Sequence, residues 1–162
     1  MPELEIALRP AEPEDARLLF NWRNDDLTRQ VSFHSEKISW EEHIVWYNNS
    51  LSGASRQIFI GEVLPDRSSC GQVRFDLLSP EEAEISIVIA PEWRGKGLGK
   101  KIIIAGVGKY LEEKPDVKTI IACIKPENAA SKKVFQAAGF EYAETHEIKQ
   151  GVMSEKWILK TG

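Results

Sequence analysis

A run of alternating glycines constrains this chain more than any other feature. Pro91-Glu92-Trp93-Arg94-Gly95-Lys96-Gly97-Leu98-Gly99-Lys100 stands between a strand-like segment and a long apolar helix. Glycines at 95, 97 and 99 leave the backbone uncovered where a helix begins, so several N–H groups can point at one anion. The helix N-terminus adds partial positive charge, and Arg94, Lys96, Lys100 and Lys101 reinforce it. The run suits a diphosphate. It is not a Walker A loop, because Lys100 is followed by Lys101 rather than Ser or Thr. Nor is it the dinucleotide fingerprint, since its glycines run Gly-x-Gly-x-Gly after a strand that lies late in the chain. A solvated turn whose glycines only end a strand is the plain alternative.

The rest of the chain narrows the class. A length of 162 residues suits one domain with a substantial core, and 42% hydrophobic with 28% charged residues is globular composition. A net charge of −4 argues against general nucleic-acid binding. Cys70 and Cys123 have no metal-ligand spacing, and His34, His43 and His146 match no metal motif, so no metal is expected. The longest apolar stretch, near Ile102, is too short to span a bilayer, and no leader precedes the first periodic segment; a cytoplasmic protein with no membrane partner is the expectation.

Periodicity predicts a strand over residues 4–9 and a helix over 14–24, with Ala16, Leu19, Phe20 and Arg23 near one face. Residues 25–30 continue as a short helical turn. Ser39-x-x-Glu42 is a capping box that opens a helix to about Leu51, with Trp40, Ile44 and Tyr47 as its buried stripe. Strands follow at 57–64, 71–78 and 83–90, the first two joined at Pro65-Asp66-Arg67-Ser68-Ser69. A helix over 97–114, an apolar strand over 117–124 and a short helix ending at Gly139 come next. Two strands, 140–148 and 153–159, close the chain. The order β-α-α-β-β-β-α-β-α-β-β describes an α/β domain with a mixed sheet.

Two segments in this order resemble the GNAT superfamily of N-acetyltransferases. Glu84-Ile85-Ser86-Ile87-Val88-Ile89-Ala90-Pro91 leads into Arg94-x-x-Gly97-x-Gly99, similar to the family's Arg/Gln-x-x-Gly-x-Gly/Ala signature. Asn128-Ala129-Ala130-Ser131-Lys132-Lys133-Val134-Phe135-Gln136-Ala137-Ala138-Gly139-Phe140 resembles its Asn-containing helix ending in Gly-Phe. The resemblance implies one GNAT-fold domain over residues 1–162. Its mixed, mostly antiparallel sheet would have six or seven strands, splayed between the fourth and fifth, and about four flanking helices.

It also implies acetyl-coenzyme A as cosubstrate. The backbone N–H groups of Arg94, Gly95, Lys96, Gly97, Leu98, Gly99 and Lys100 would hold the pyrophosphate. The main chain of Ile87, Val88 and Ile89 would pair with the pantetheine arm like an added strand. Asn128 would lie by the pantetheine or serve as a plain helix N-cap, with Ser131 and Lys132 nearer the pyrophosphate and adenosine. The segments Trp22-Arg23-Asn24-Asp25, Arg29, Ser32-Phe33-His34 and Ile38 to Trp46 resemble UDP-amino-sugar N-acetyltransferases of the pseudaminic-acid type. More loosely, they resemble ribosomal-protein and spermidine acetyltransferases.

Acetyl transfer needs a neutral amine, a polarised thioester carbonyl and a proton for the departing thiolate. Glu84, opening an apolar strand, is the candidate base, with an exposed strand-end carboxylate as the alternative. A backbone N–H of Val88 or Ile89 would polarise the carbonyl. Many relatives supply the proton from a Tyr where this chain has Phe135; Ser131 is a possible replacement. Arg29, Phe33 and His34 are the candidate acceptor contacts. Arg23, Arg29, Phe33, His34 and Lys37 suit a nucleotide-linked amino sugar, and Asp25, Asp26, Glu41 and Glu42 would suit a polyamine if they faced inward. Protein α-amines as acceptors, an acyl-CoA-sensing module without turnover, and a homodimer are further expectations left open at this level.

Overall fold

A computed structural model describes residues 3–33 and 35–161. A seven-stranded sheet forms its centre. The chain enters it as strand β1 (Ile6–Pro10), then passes through a 3-10 turn into helices α1 (Ala16–Arg23), α2 (Asp26–Val31) and α3 (Trp40–Ser52). Strands β2 (Arg56–Val63), β3 (Ser68–Ser79) and β4 (Glu82–Ile89) follow as a meander. Helix α4 (Leu98–Glu113), strand β5 (Thr119–Ile124), helix α5 (Ala129–Ala137) and strands β6 (Glu141–Lys149) and β7 (Val152–Lys160) complete the chain. The strand order is β1-β2-β3-β4-β5-β7-β6, antiparallel throughout except for the parallel β4–β5 pair. This is the mixed α/β architecture expected from the sequence. Among the described residues no helix is long and apolar enough to cross a membrane.

Alternation along the strands divides the core in two. Val73, Phe75, Ile85, Ile102, Ile103 and Phe135 pack on the side of α4 and α5. Leu19, Trp22, Tyr47, Ile58 and Ile60 pack on the side of α1 and α3. Five helices form where about four were expected. Asp25 leaves helical geometry and caps a new helix, its carboxylate accepting from the Thr28 N–H at 3.1 Å. Strand β3 starts three residues earlier than predicted, because Arg67 closes the hairpin with a φ of 62° and an N–H bond of 2.8 Å to the Val63 carbonyl. Strand β6 lies at the sheet edge, exposed along its whole length.

The feature that positions the site is a fork between β4 and β5. They pair only from Glu82–Thr119 to Ile85–Ala122. Beyond that rung β4 continues to Ile89 on β3, while Cys123 and Ile124 of β5 stay with β7. Antiparallel ladders alternate, and the Ala90 N–H donates to the Cys70 carbonyl at 2.8 Å. Counting back from that bond, Val88 and Ser86 face β3 with both backbone groups. Ile87 and Ile89 therefore present their N–H and C=O groups to the gap.

Candidate active site

A cleft of about 340 Å³ opens at this fork. Its floor is the face of β3 and β4 that carries three side-by-side pairs: Gln72 with Val88, Arg74 with Ser86, and Asp76 with Glu84. Helices α1 and α3 cover one side with Leu19, Arg23 and Trp46, and α2 with its following loop contributes Thr28, Val31 and Phe33. Cys123, Asn128, Ser131 and Phe135 form the wall beyond the fork.

Glu84 stands where β4 and β5 are last paired. Burial first, and the Glu84 carboxylate next, push the Cys123 thiol up to about 12. Cys123 therefore stays protonated near neutral pH and is no nucleophile. Ser131 and Phe135 both line the cleft from α5, four residues apart on one helix face. Phe135 is almost fully buried and meets Phe140 edge-on at 5.0 Å, so the position where many relatives carry a phenol offers no proton here. Asn128 is the α5 N-cap, its Oδ1 accepting from the Ser131 N–H at 3.2 Å. Asn128 also lines the cleft, so its capping role leaves it beside the fork.

The glycine run leads from the end of β4 into α4. Gly95 and Gly97 take φ values of 75° and 77°, a region costly for residues with a Cβ, and an added Cβ at either would meet nothing within 4 Å. Gly97 is the α4 N-cap. Among the described residues, no backbone hydrogen bond outside helices and strands starts from an N–H of 95–99, and the first helical turn leaves further N–H groups without intrahelical partners. Gly99 serves otherwise: a Cβ there would lie 2.9 Å from Val134, so this glycine lets α4 pack on α5.

Several charges assigned from the sequence are spent on structure. The Arg94 guanidinium bonds Asp25 at 2.5 Å and Thr28 at 3.0 Å, and that contact first of all holds the Asp25 carboxyl below its usual range. Lys101 is bound to the Leu4 carbonyl and to Glu3 at 3.3 Å. Lys132 pairs with Glu155 at 3.3 Å. Lys96 and Lys100 remain exposed beside the glycines. Arg29 does not line the cleft; its guanidinium braces Asn24, Asp26 and Ser35. Phe33 does line it, while His34 lies outside the described residues. Of the two backbone donors considered for the carbonyl, Ile89 faces the gap, whereas the Val88 N–H faces β3.

Sequence reasoning gave neither Trp46 nor Arg74 a role in the site, yet both line the cleft. Trp46 carries three guanidiniums around its ring, those of Arg23 at 4.9 Å, Arg56 at 5.2 Å and Arg74 at 5.5 Å. Nη1 of Arg23 and Oε1 of Gln72 are buried with no hydrogen-bond partner. Each such atom costs about 1–3 kcal/mol, more for a charged group. The signal was present as Gln72, Arg74 and Asp76 alternating with the core residues Val73 and Phe75. It reads as a solvated face until α1 and α3 are seen to cover it.

A forked parallel pair beside a glycine-rich helix start is the frame of an acyltransferase site. The acetyltransferase (GNAT) domain family matches residues 5–141, and the chain belongs to that family. An uncharacterized N-acetyltransferase of Bacillus subtilis, YfmK, is 32% identical over 77 residues, 46% of this chain and 49% of the relative, so the match spans about half of that protein's length. A spermidine N-acetyltransferase from Vibrio cholerae, solved with CoA and spermine, superposes with a TM-score of 0.83 at 20% identity, covering 96% of this chain and 95% of that one. A domain from Methanocaldococcus jannaschii superposes with a TM-score of 0.81 at 23% identity, covering 98% of this chain and all of that one, 100%. At these identities the structures show a shared fold.

Proposed function

We propose that this chain, as a single domain, transfers the acetyl group of acetyl-CoA to a primary amine of a small molecule. The observation that carries the reading is the β4–β5 fork, which leaves the backbone groups of Ile87 and Ile89 free beside a carboxylate. An extended pantetheine arm can bond there as a strand would. The open, left-handed glycines at 95 and 97 and the α4 N-terminus fit a diphosphate. Bound acetyl-CoA supplies an acyl group activated as a thioester. The residues then divide the work. Glu84 takes a proton from the acceptor's ammonium, directly or through water, and the neutral amine then attacks the thioester. The Ile89 N–H points toward the region where charge develops on the acyl oxygen, and Ser131 is the nearest candidate to return a proton.

For the acceptor, the likeness to the spermidine acetyltransferase supports a polyamine. The relatives found lend no support to the nucleotide-linked amino sugar expected from the sequence. Asp25, Asp26, Glu41 and Glu42, the carboxylates that would have made an acidic groove, do not line the cleft, so a polyamine would rest on Glu84.

Replacing Glu84→Gln tests the assignment. Acetyl-CoA affinity measured by calorimetry is expected to hold, while release of free CoA in the presence of amines falls by about 100-fold or more. Failure of the wild-type protein to bind acetyl-CoA would overturn the function itself; full transfer by the variant would remove Glu84 from it.

A further inference from the structure

We infer that the acceptor carries an anionic group besides its amine, and that Arg23 and Arg74 bind it against Trp46. The inference rests on the acetyltransferase reading, names the substrate class for the same cleft, and on the charges lining it departs from the polyamine that the fold likeness supports. Three guanidiniums gather around one indole ring, yet among the described residues the carboxylate hydrogen-bonded to them is Asp76 alone. Arg56 and Arg74 share it, Arg74 through Nε at 3.1 Å. Arg56 also donates to Ser50 at 3.0 Å, and Arg74 reaches Ser86 at 3.5 Å. Arg23 keeps a buried Nη1 with no acceptor. Burial and the neighbouring arginines both oppose its charge, and Glu42, which favours it, is exposed on α3. A guanidinium does not escape such a place by losing its proton. An anion in the cleft supplies the missing acceptor, and a hydroxyl or N–H on the same molecule would satisfy Oε1 of Gln72 next to it.

The register also sets a size. Arg74 faces Ser86, two residues along β4 from Glu84, so the two rungs stand about 7 Å apart along the strand. That span suits a compact molecule with both groups a few bonds apart. A polyamine would instead bring further positive charge to Arg23. Carboxylate and phosphate share the chemistry that these arginines recognise.

The test compares amines in phosphate-free buffer by release of free CoA: glucosamine, glucosamine 6-phosphate, 4-aminobutyrate and spermidine. One anionic amine is expected to exceed glucosamine by about tenfold to a hundredfold in kcat/KM, the range that a charge-assisted hydrogen bond gives. Preference for glucosamine 6-phosphate assigns the anion to a phosphate, and preference for 4-aminobutyrate to a carboxylate. Arg23→Gln should bring the ratio toward one while acetyl-CoA affinity stays unchanged. Equal turnover with and without the anion, or preference for spermidine, overturns the inference and leaves the acetyltransferase reading intact. A second measurement covers a protein that transfers nothing. CoA-saturated protein, its diphosphate site filled, is titrated with glucosamine 6-phosphate and with 4-aminobutyrate. Binding of either that weakens tenfold or more in Arg23→Gln upholds the anion site even where the acetyltransferase reading fails; no binding of both sinks it.

Discussion

Arg9 shows how much of the charge in this chain is structural. Its guanidinium grips Asp15 through both Nη atoms, at 2.7 and 2.8 Å, and Glu62 through Nε at 3.0 Å, while Arg67 holds the other Glu62 oxygen at 3.0 Å. Asp15 is 8% exposed and also accepts from the Glu12 N–H. Losing one partner of a buried pair costs about 3–5 kcal/mol, and because Arg9 is partly exposed we expect about 2–3 kcal/mol for Asp15→Asn in urea unfolding. His43 makes a separate prediction. It is fully buried, its Nε2 donates to the Ala16 carbonyl at 2.9 Å and its ring stacks on Tyr47. Burial first, then Arg23 and Arg17, hold it below the usual 6.5. The unfolded chain therefore binds this proton first, and stability falls as pH drops from about 6.5 toward the lower folded value. Asp15 and Asp25, held below their usual 3.8, lose their contribution only at more acid pH. Thermal melts between pH 8 and 5 should show the first decline, and His43→Gln should flatten it.

Among the elements, α2 is the one that tertiary contacts hold in place. It has six residues, none buried, too few to be helical alone. Arg94 ties its cap to the glycine run, and Lys125 donates to the Gln30 carbonyl at 3.3 Å from the β5–α5 connection. The wall of the cleft is thus anchored to both sides of the fork. Asp25→Ala removes the cap and the Arg94 contact together. Amide exchange over residues 26–33 should quicken markedly, while global stability drops by only about 1 kcal/mol. Gly97→Ala separates strain from ligand contact. A left-handed alanine costs about 1 kcal/mol, and because its Cβ meets no protein atom, any loss of acetyl-CoA affinity beyond tenfold reports on phosphate in that space.

At the scale of the whole molecule, the fork divides the seven-stranded sheet where β4 and β5 stop pairing after four rungs. The free groups of Ile87 and Ile89 are tolerable because the gap is a cleft open to water. Saturating acetyl-CoA should slow amide exchange at Ile87 and Ile89 and leave Ser86 and Val88, already bonded to β3, unchanged. Protection of all four alike, or of none, would contradict strand-like binding of the pantetheine arm.

Local physics wrote much of this into the chain. Hydrophobic periods of two and 3.6 placed the strands and helices, Ser39 and Asn128 marked helix starts, and the glycines at 95, 97 and 99 marked an uncovered start of α4, because each depends on neighbours in sequence. The same logic could not assign the charges. Arg94, Lys101 and Lys132 read as free cations, and each found its partner only when the fold brought distant elements together; Arg29 is held locally by Asn24, Asp26 and Ser35. Trp46, Arg74 and Gln72 read as core or solvated face, and became a cleft only when α1 and α3 closed over β3. A side chain's charge is fixed by its chemistry, but its counter-ion and its access to water are set by residues dozens of positions away.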